Sequence, residues 1–210
     1  MSGIDFYTNI HKALRRELFN VSVLAGSTDV SDPEALARLR AAFTEVAALL
    51  RDHARHEDDF LHPVLGLHVP DELPPLESEH AELEHRLDEL EHQLSRLETA
   101  EPESHTAGLG FYRALNRYIS DYLAHQDREE SDVQPRLWAC ESQGDLGAMM
   151  GRFVAALAPH DILRNAAYML PALSPAERAA HLSKLQRSTS PELFEQIQER
   201  LAATSLAGAR

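Results

Sequence analysis

The sequence predicts an all-α protein: an up-down four-helix bundle over residues 1–142, then an extension of shorter helices over 143–210 that packs on the bundle or on a partner. Three observations predict it. Apolar residues recur at alternating steps of three and four through four long segments, which marks a helix with one buried face. Glycine is scarce inside those segments, and most of the 11 prolines stand at their edges. Short connections join the segments, as antiparallel neighbours in a bundle require.

The first segment, residues 3–25, carries the seam Ile4, Tyr7, His11, Leu14, Leu18, Val21 and Ala25 and ends near Gly26. The second opens at "SDPEAL", where Asp32 suits an N-cap and Pro33 the first helical position, and stops near Pro63. Its seam is Leu36, Leu39, Phe43, Val46, Leu50, His53, Glu57, Phe60 and Val64. A loop, "GLHVPDELPP", leads to the third helix at about 74–99, with Leu76, His80, Leu83, Leu87, Leu90, Leu94 and Leu97 inward. Pro102 begins the approach to the fourth, which runs to about 139 with an irregularity expected at Pro135. Its seam is Phe111, Leu115, Tyr118, Tyr122, His125, Glu129 and Asp132. After Gly144 the prolines 159, 171, 175 and 191 punctuate shorter helices, with "SPAE" and "SPEL" as helix starts.

Charge and cysteine content narrow the function classes. The chain has 34 acidic against 20 basic residues, a formal charge of -14, which repels phosphate backbones and anionic membranes. Nucleic acid and membrane are therefore not expected as partners. One cysteine, Cys140, rules out an internal disulfide framework and a thiolate metal cluster. With no apolar run suited to a signal peptide or a membrane span, the expected compartment is the cytoplasm.

The seam register sorts ten of the 12 histidines. His11, His53, His80 and His125 fall inside apolar seams, one per helix, and Glu57 and Glu129 join them. His56, His85 and His92 fall outside the seams, while His62, His68 and His105 stand at helix ends or in loops. The stretches "HARHEDDFLHPVL" and "HQDREESDVQPRL" align without a gap, so His53 with Glu57 and His125 with Glu129 form a repeat. Residues four apart on a helix lie about 6 Å apart on one face. Each copy thus offers an imidazole and a carboxylate in one direction, as a metal ion needs.

A lone seam histidine is ordinarily a hydrogen-bonded core residue. Two aligned pairs plus a seam histidine on each other helix favour a metal site instead. Buried carboxylates are costly unless paired or metal-bound, and no Lys or Arg in these seams neutralises them. A pair of divalent cations would, with the four imidazoles terminal and the carboxylates bridging. Imidazole and carboxylate without sulfur suit iron, with manganese and zinc as alternatives. Asp58, Asp59, Glu130 and Asp132 read as a solvated face or as outer partners, and Tyr7, Tyr118 and Tyr122 as core aromatics near the site.

The order His; His-x-x-x-Glu; His; His-x-x-x-Glu resembles the hemerythrin-like, or HHE cation-binding, domain. The pieces are "HKAL" with His11, "HARHEDDFLHP" with His53 and Glu57, "HAEL" with His80, and "HQDREESDVQP" with His125 and Glu129, over about residues 5–140. The resemblance implies a bundle holding two iron ions in a non-haem di-iron centre that binds or reacts with dioxygen, peroxide or nitric oxide. The alternative is an iron- or oxygen-sensing module that signals through its C-terminal helices to a protein partner or a second copy. A metal-free helical interaction protein is the third reading. Oxygen-carrying hemerythrins have a further histidine where this chain has Glu84, and an Asp where it has Glu130 beside the closer-fitting Glu129. The coordination is therefore more open, or else Glu84, Glu130 or one of the three tyrosines completes it, and an open position favours chemistry or sensing over oxygen carriage.

Overall fold

A computed structural model describes residues 3–99 and 104–207, and among them every regular element is helical. The helices are α1 (Thr8–Ser27), α2 (Pro33–Phe60), α3 (His62–His68), α4 (Leu73–Thr99) and α5 (Ser104–Arg128), followed by a π turn (Glu129–Val133) and α6 (Gln134–Cys140). Then come α7 (Gln143–Ala156), α8 (Pro159–Ala172), α9 (Pro175–Ser188) and α10 (Pro191–Ala207). Contacts divide the chain into two compact units, residues 14–142 and residues 1–13 with 143–210; α1 runs unbroken through the division.

In the unit 14–142 the expected seams are the core. Leu14, Leu18, Val21 and Ala25 of α1 are buried, as are Leu36, Leu39, Phe43, Val46 and Leu50 of α2. The inward leucines of α4 from Leu76 to Leu97 are buried too, as are Phe111, Leu115, Tyr118 and Tyr122 of α5. Phe43 meets Phe111 edge to face at 5.7 Å between ring centres, joining α2 to α5. Ser22 Oγ donates to Asn116 Oδ1 at 2.8 Å between α1 and α5. Asp32 caps α2 by accepting from the Glu34 backbone N–H at 2.9 Å, with Pro33 in the first turn.

Helix boundaries near the two ends of the first pair of helices differ from expectation for local reasons. The first helix starts at Thr8 rather than residue 3, because Asp5 Oδ1 accepts from the backbone N–H of Tyr7 at 3.0 Å and of Thr8 at 2.9 Å. Ile4 and Tyr7 thus precede the helix, although Tyr7 is still buried. The second helix breaks at Leu61, two residues before Pro63, which has no N–H for the carbonyl four residues back. A new helix starts there, which buries Leu61 and Leu65 in place of the expected Phe60 and Val64. Residues 66–68 of the expected loop belong to that helix, and Pro74 and Pro75 stand in the first turn of α4.

The irregularity expected at Pro135 is the π turn just before it, where Gln134 N–H donates to the Glu129 carbonyl. The extra residue rotates the helix beyond it, so Asp132, expected in the seam, is exposed, and Val133 is buried instead. Pro102 lies outside the described residues.

In the other unit, Ala166 and Leu170 of α8 pack with Ile197 of α10, flanked by Leu163, Leu182 and Leu193. Ser174 and Glu177 form a reciprocal capping box at the "SPAE" start of α9. At "SPEL", Ser190 Oγ accepts from Leu193 N–H at 3.2 Å at the start of α10.

The cap gives a first prediction. Asp32→Ala should lower the urea stability of the full chain by about 1 kcal/mol, with Asp32→Asn close to wild type. Equal losses in the two variants would remove the capping role.

Candidate metal centre

Glu57 and Glu129 are the residues from which the site is built. Both are buried, on α2 and in the π turn respectively, where the helical step from His53 and His125 turns them inward. Glu57, His80, His125 and Glu129 each offer a ligand atom, and these atoms lie within 4.8 Å of one another. His53, Glu57 and Glu129 meet the same criterion, with His53 Nε2 at 3.1 Å from Glu57 Oε1. The fold therefore brings together five of the six expected site residues within the unit 14–142. The sixth, His11, is wholly buried in the first turn of α1, its ring centre 5.5 Å from that of Tyr7.

Hydrogen bonds on the outer side of two imidazoles orient them. His80 Nδ1 lies 2.9 Å from Asp58 Oδ1, and His125 Nδ1 lies 2.9 Å from Glu79 Oε2. A carboxylate oxygen only accepts, so each Nδ1 donates, and in the neutral imidazole each Nε2 is then an acceptor facing inward. The two Nε2 atoms stand 3.2 Å apart. Glu57 Oε2 is 3.5 Å from His80 Nε2, and Glu129 Oε1 is 3.4 Å from His125 Nε2. Acceptors thus face acceptors around one point, an arrangement that only a cation or added protons can stabilise.

The electrostatics agree. Burial, and then the charge of Asp58, push the Glu57 carboxyl well above its usual range. For Glu129 the causes are burial and then Glu57. Burial likewise pushes the Tyr118 and Tyr122 phenols up. The donor set is imidazole and carboxylate, suited to iron, manganese or zinc. By charge, donor chemistry and direction, these residues fit a metal.

The remaining acids are occupied elsewhere. Glu84 is exposed and accepts from Arg51 Nε at 2.7 Å. Glu130 accepts from Arg15 at 2.8 Å. Asp58 is half exposed and Asp59 exposed, and of the two Asp58 is the one bonded to a site imidazole.

His62, expected at a helix end, is buried; it lies 3.0 Å from Asp58 and stacks on His80 with ring centres 5.0 Å apart. Burial, and then His80, lower its pKa. Glu79, also held by Arg128 at 2.5 Å, went unrecognised in the sequence. The one signal for it is its place immediately before His80. For His62 the signal is the four-residue step from Asp58.

Residues 2–137 match the family model of Hemerythrin, the hemerythrin HHE cation binding domain. No curated protein and no solved structure matches the chain. Among the described residues no helix is long and apolar enough to cross a membrane.

The raised carboxyls set a pH dependence. In the metal-free state this carboxyl pair binds more protons folded than unfolded once pH exceeds the unfolded Glu value of 4.5. The pair therefore costs stability increasingly as pH rises through the window between the unfolded and folded values. Glu57→Gln removes part of that cost. In chelated protein its urea midpoint relative to wild type should rise between about pH 5 and about pH 7.5. A constant or falling difference would contradict a raised pair.

Proposed function

This chain belongs to the hemerythrin HHE cation-binding family, and from that premise we propose that it is a non-haem di-iron protein that binds or reacts with dioxygen, peroxide or nitric oxide. The observation that carries the reading is the inward convergence of two buried carboxylates and two imidazole Nε2 atoms, each imidazole tied from behind by a carboxylate. In this assignment Glu57 and Glu129 would bridge, His80 and His125 would hold one ion and His53 the other, with His11 the sixth expected ligand. His11 enters as the buried seam histidine of α1, one turn ahead of the core residues Leu14 and Leu18. Residues 1–142 form the metal-holding part under this reading.

When bound, an iron pair supplies one-electron redox chemistry and coordination sites for a small ligand. The chain supplies position and exclusion of water. Asp58 and Glu79 fix which nitrogen of His80 and His125 faces inward, which typically changes metal affinity by about 10–100-fold. The apolar residues Leu50, Leu83 and Leu87 lie beside the acids. Arg51 bonds Glu84 and Arg15 bonds Glu130, so under this reading neither acid is assigned to the metals. A position is thereby left open for the ligand.

A sensing role has one observation in its favour. His11 belongs to the unit that contains residues 143–210, and its neighbour Lys12 bonds Glu177 of α9 at 2.5 Å. Under this second reading, hydrogen exchange across residues 143–207 changes on metal loading without turnover of any ligand.

Purified full-length protein should contain about two irons per chain and show a near-ultraviolet band that shifts with azide, peroxide or nitric oxide. His53→Ala and His125→Ala should each remove about half or more of the iron, whereas His56→Ala and His92→Ala should retain it. Equal losses in both groups, measured by elemental analysis, would overturn the assignment.

A further inference from the structure

Beside the carboxylate pair, a second group of metal-ligating side chains gathers in the unit 14–142: Asp58 of α2, His62 at the start of α3 and His80 of α4. One ligand atom from each lies within 4.8 Å of the others. Asp58 Oδ1 is the common point, 3.0 Å from His62 Nδ1 and 2.9 Å from His80 Nδ1. The two rings stack with 5.0 Å between centres and 23° between planes, so both Nδ1 atoms address the same oxygen. Asp58 and His62 are four residues apart, and the helix that restarts ahead of Pro63 keeps that step while burying His62. Asp58 itself is half exposed, which opens the group to solvent.

We propose that Asp58, His62 and His80 form a separate divalent-cation site, suited to zinc, on the outer side of His80. Two imidazoles and one carboxylate without sulfur are a donor set that zinc takes with water in the fourth place, and half-exposed Asp58 leaves that place to solvent. Ligand atoms about 2.0–2.1 Å from a tetrahedral ion stand about 3.3 Å from one another. The observed 2.9 and 3.0 Å therefore need to widen by only a few tenths of an ångström. Burial, and then His80, hold the His62 imidazole toward its neutral, ligating form, while Asp58 and Glu77 place negative charge near it. Sharing His80 makes the two sites compete. His80 Nδ1 donates to Asp58, and an ion on Nδ1 moves that proton to Nε2, which faces Glu57 Oε2 at 3.5 Å. Nε2 then ligates nothing, so zinc outside deprives the inner centre of one imidazole. The outer site stands on its own geometry, and only the competition rests on the di-iron reading.

The test has two arms. Zinc is titrated into the metal-free full chain while the imidazole nitrogens are followed by nitrogen-15 magnetic resonance. Metal-bound signals should come from Nδ1 of both His62 and His80, a pattern the inner centre cannot give because it uses Nε2 of His80 and no atom of His62. This arm needs no variant. In the second arm, zinc is added to iron-loaded protein and retained iron is measured by elemental analysis. His62→Gln should weaken the outer site at least about tenfold and so retain about twofold or more iron than wild type at the same zinc concentration. Zinc on His80 Nε2 with His62 untouched would overturn the site, as would equal iron loss in wild type and His62→Gln. Zinc on both Nδ1 atoms in a chain that takes up no iron would uphold the site and sink the di-iron function.

Discussion

Two carboxylates held away from water in a tube of leucine and aromatic side chains are what the rest of this bundle must accommodate. Removing an ionised carboxylate from water costs several kcal/mol even after the protein relaxes. Glu57 and Glu129 face each other, each beside the imidazole four residues earlier on its own helix, at 3.1 Å and 3.4 Å. The surroundings fit that demand. The seams are apolar away from the site, and the imidazoles of His80 and His125 turn their Nε2 atoms toward Glu57 and Glu129. Asp58 and Glu79, which hold the imidazoles from outside, are only partly buried and keep their own contact with solvent.

The interruptions of the helices belong to the same arrangement. Each His-x-x-x-Glu copy is followed by a proline ten residues after its histidine, and each proline perturbs the helix ahead of it. On α2 the ladder stops at Leu61 and restarts, which turns His62 inward against Asp58 and His80. On α5 the backbone takes up an extra residue, with Glu129 at the start of the π turn and Val133 at its end, both buried. A regular helix would have placed Asp132 in the seam, adding another buried acid to a site already rich in them. A single-turn π bulge at a functional site is a recurrent device, and here it ends the polar layer and lets the core resume.

Arginines decide which acids stay outside. Arg51 gathers Glu84, Asp88 and Glu91 on the α2–α4 surface, and Arg128 with Arg136 gathers Glu72 just ahead of α4. Exposed pairs of this kind contribute little stability individually. Their consequence is positional: in a chain of charge -14, they keep surplus carboxylates turned from the interior.

Sequence spacing by itself determined the helical class, the seams of the long helices, the Asp32 cap, and the inward placement of His11, His53, Glu57, His125 and Glu129. Those come from a 3.6-residue period that any straight helix obeys. Tertiary structure alone decided the burial of His62, the bonds of Asp58 to His80 and Glu79 to His125, the outward pull on Glu84, and the exchange of Asp132 for Val133. These depend on how far each helix rotates against its neighbour and on where a proline interrupts the hydrogen-bond ladder. Such rotations are fixed by packing between distant segments, and a period read along one helix carries no information about them.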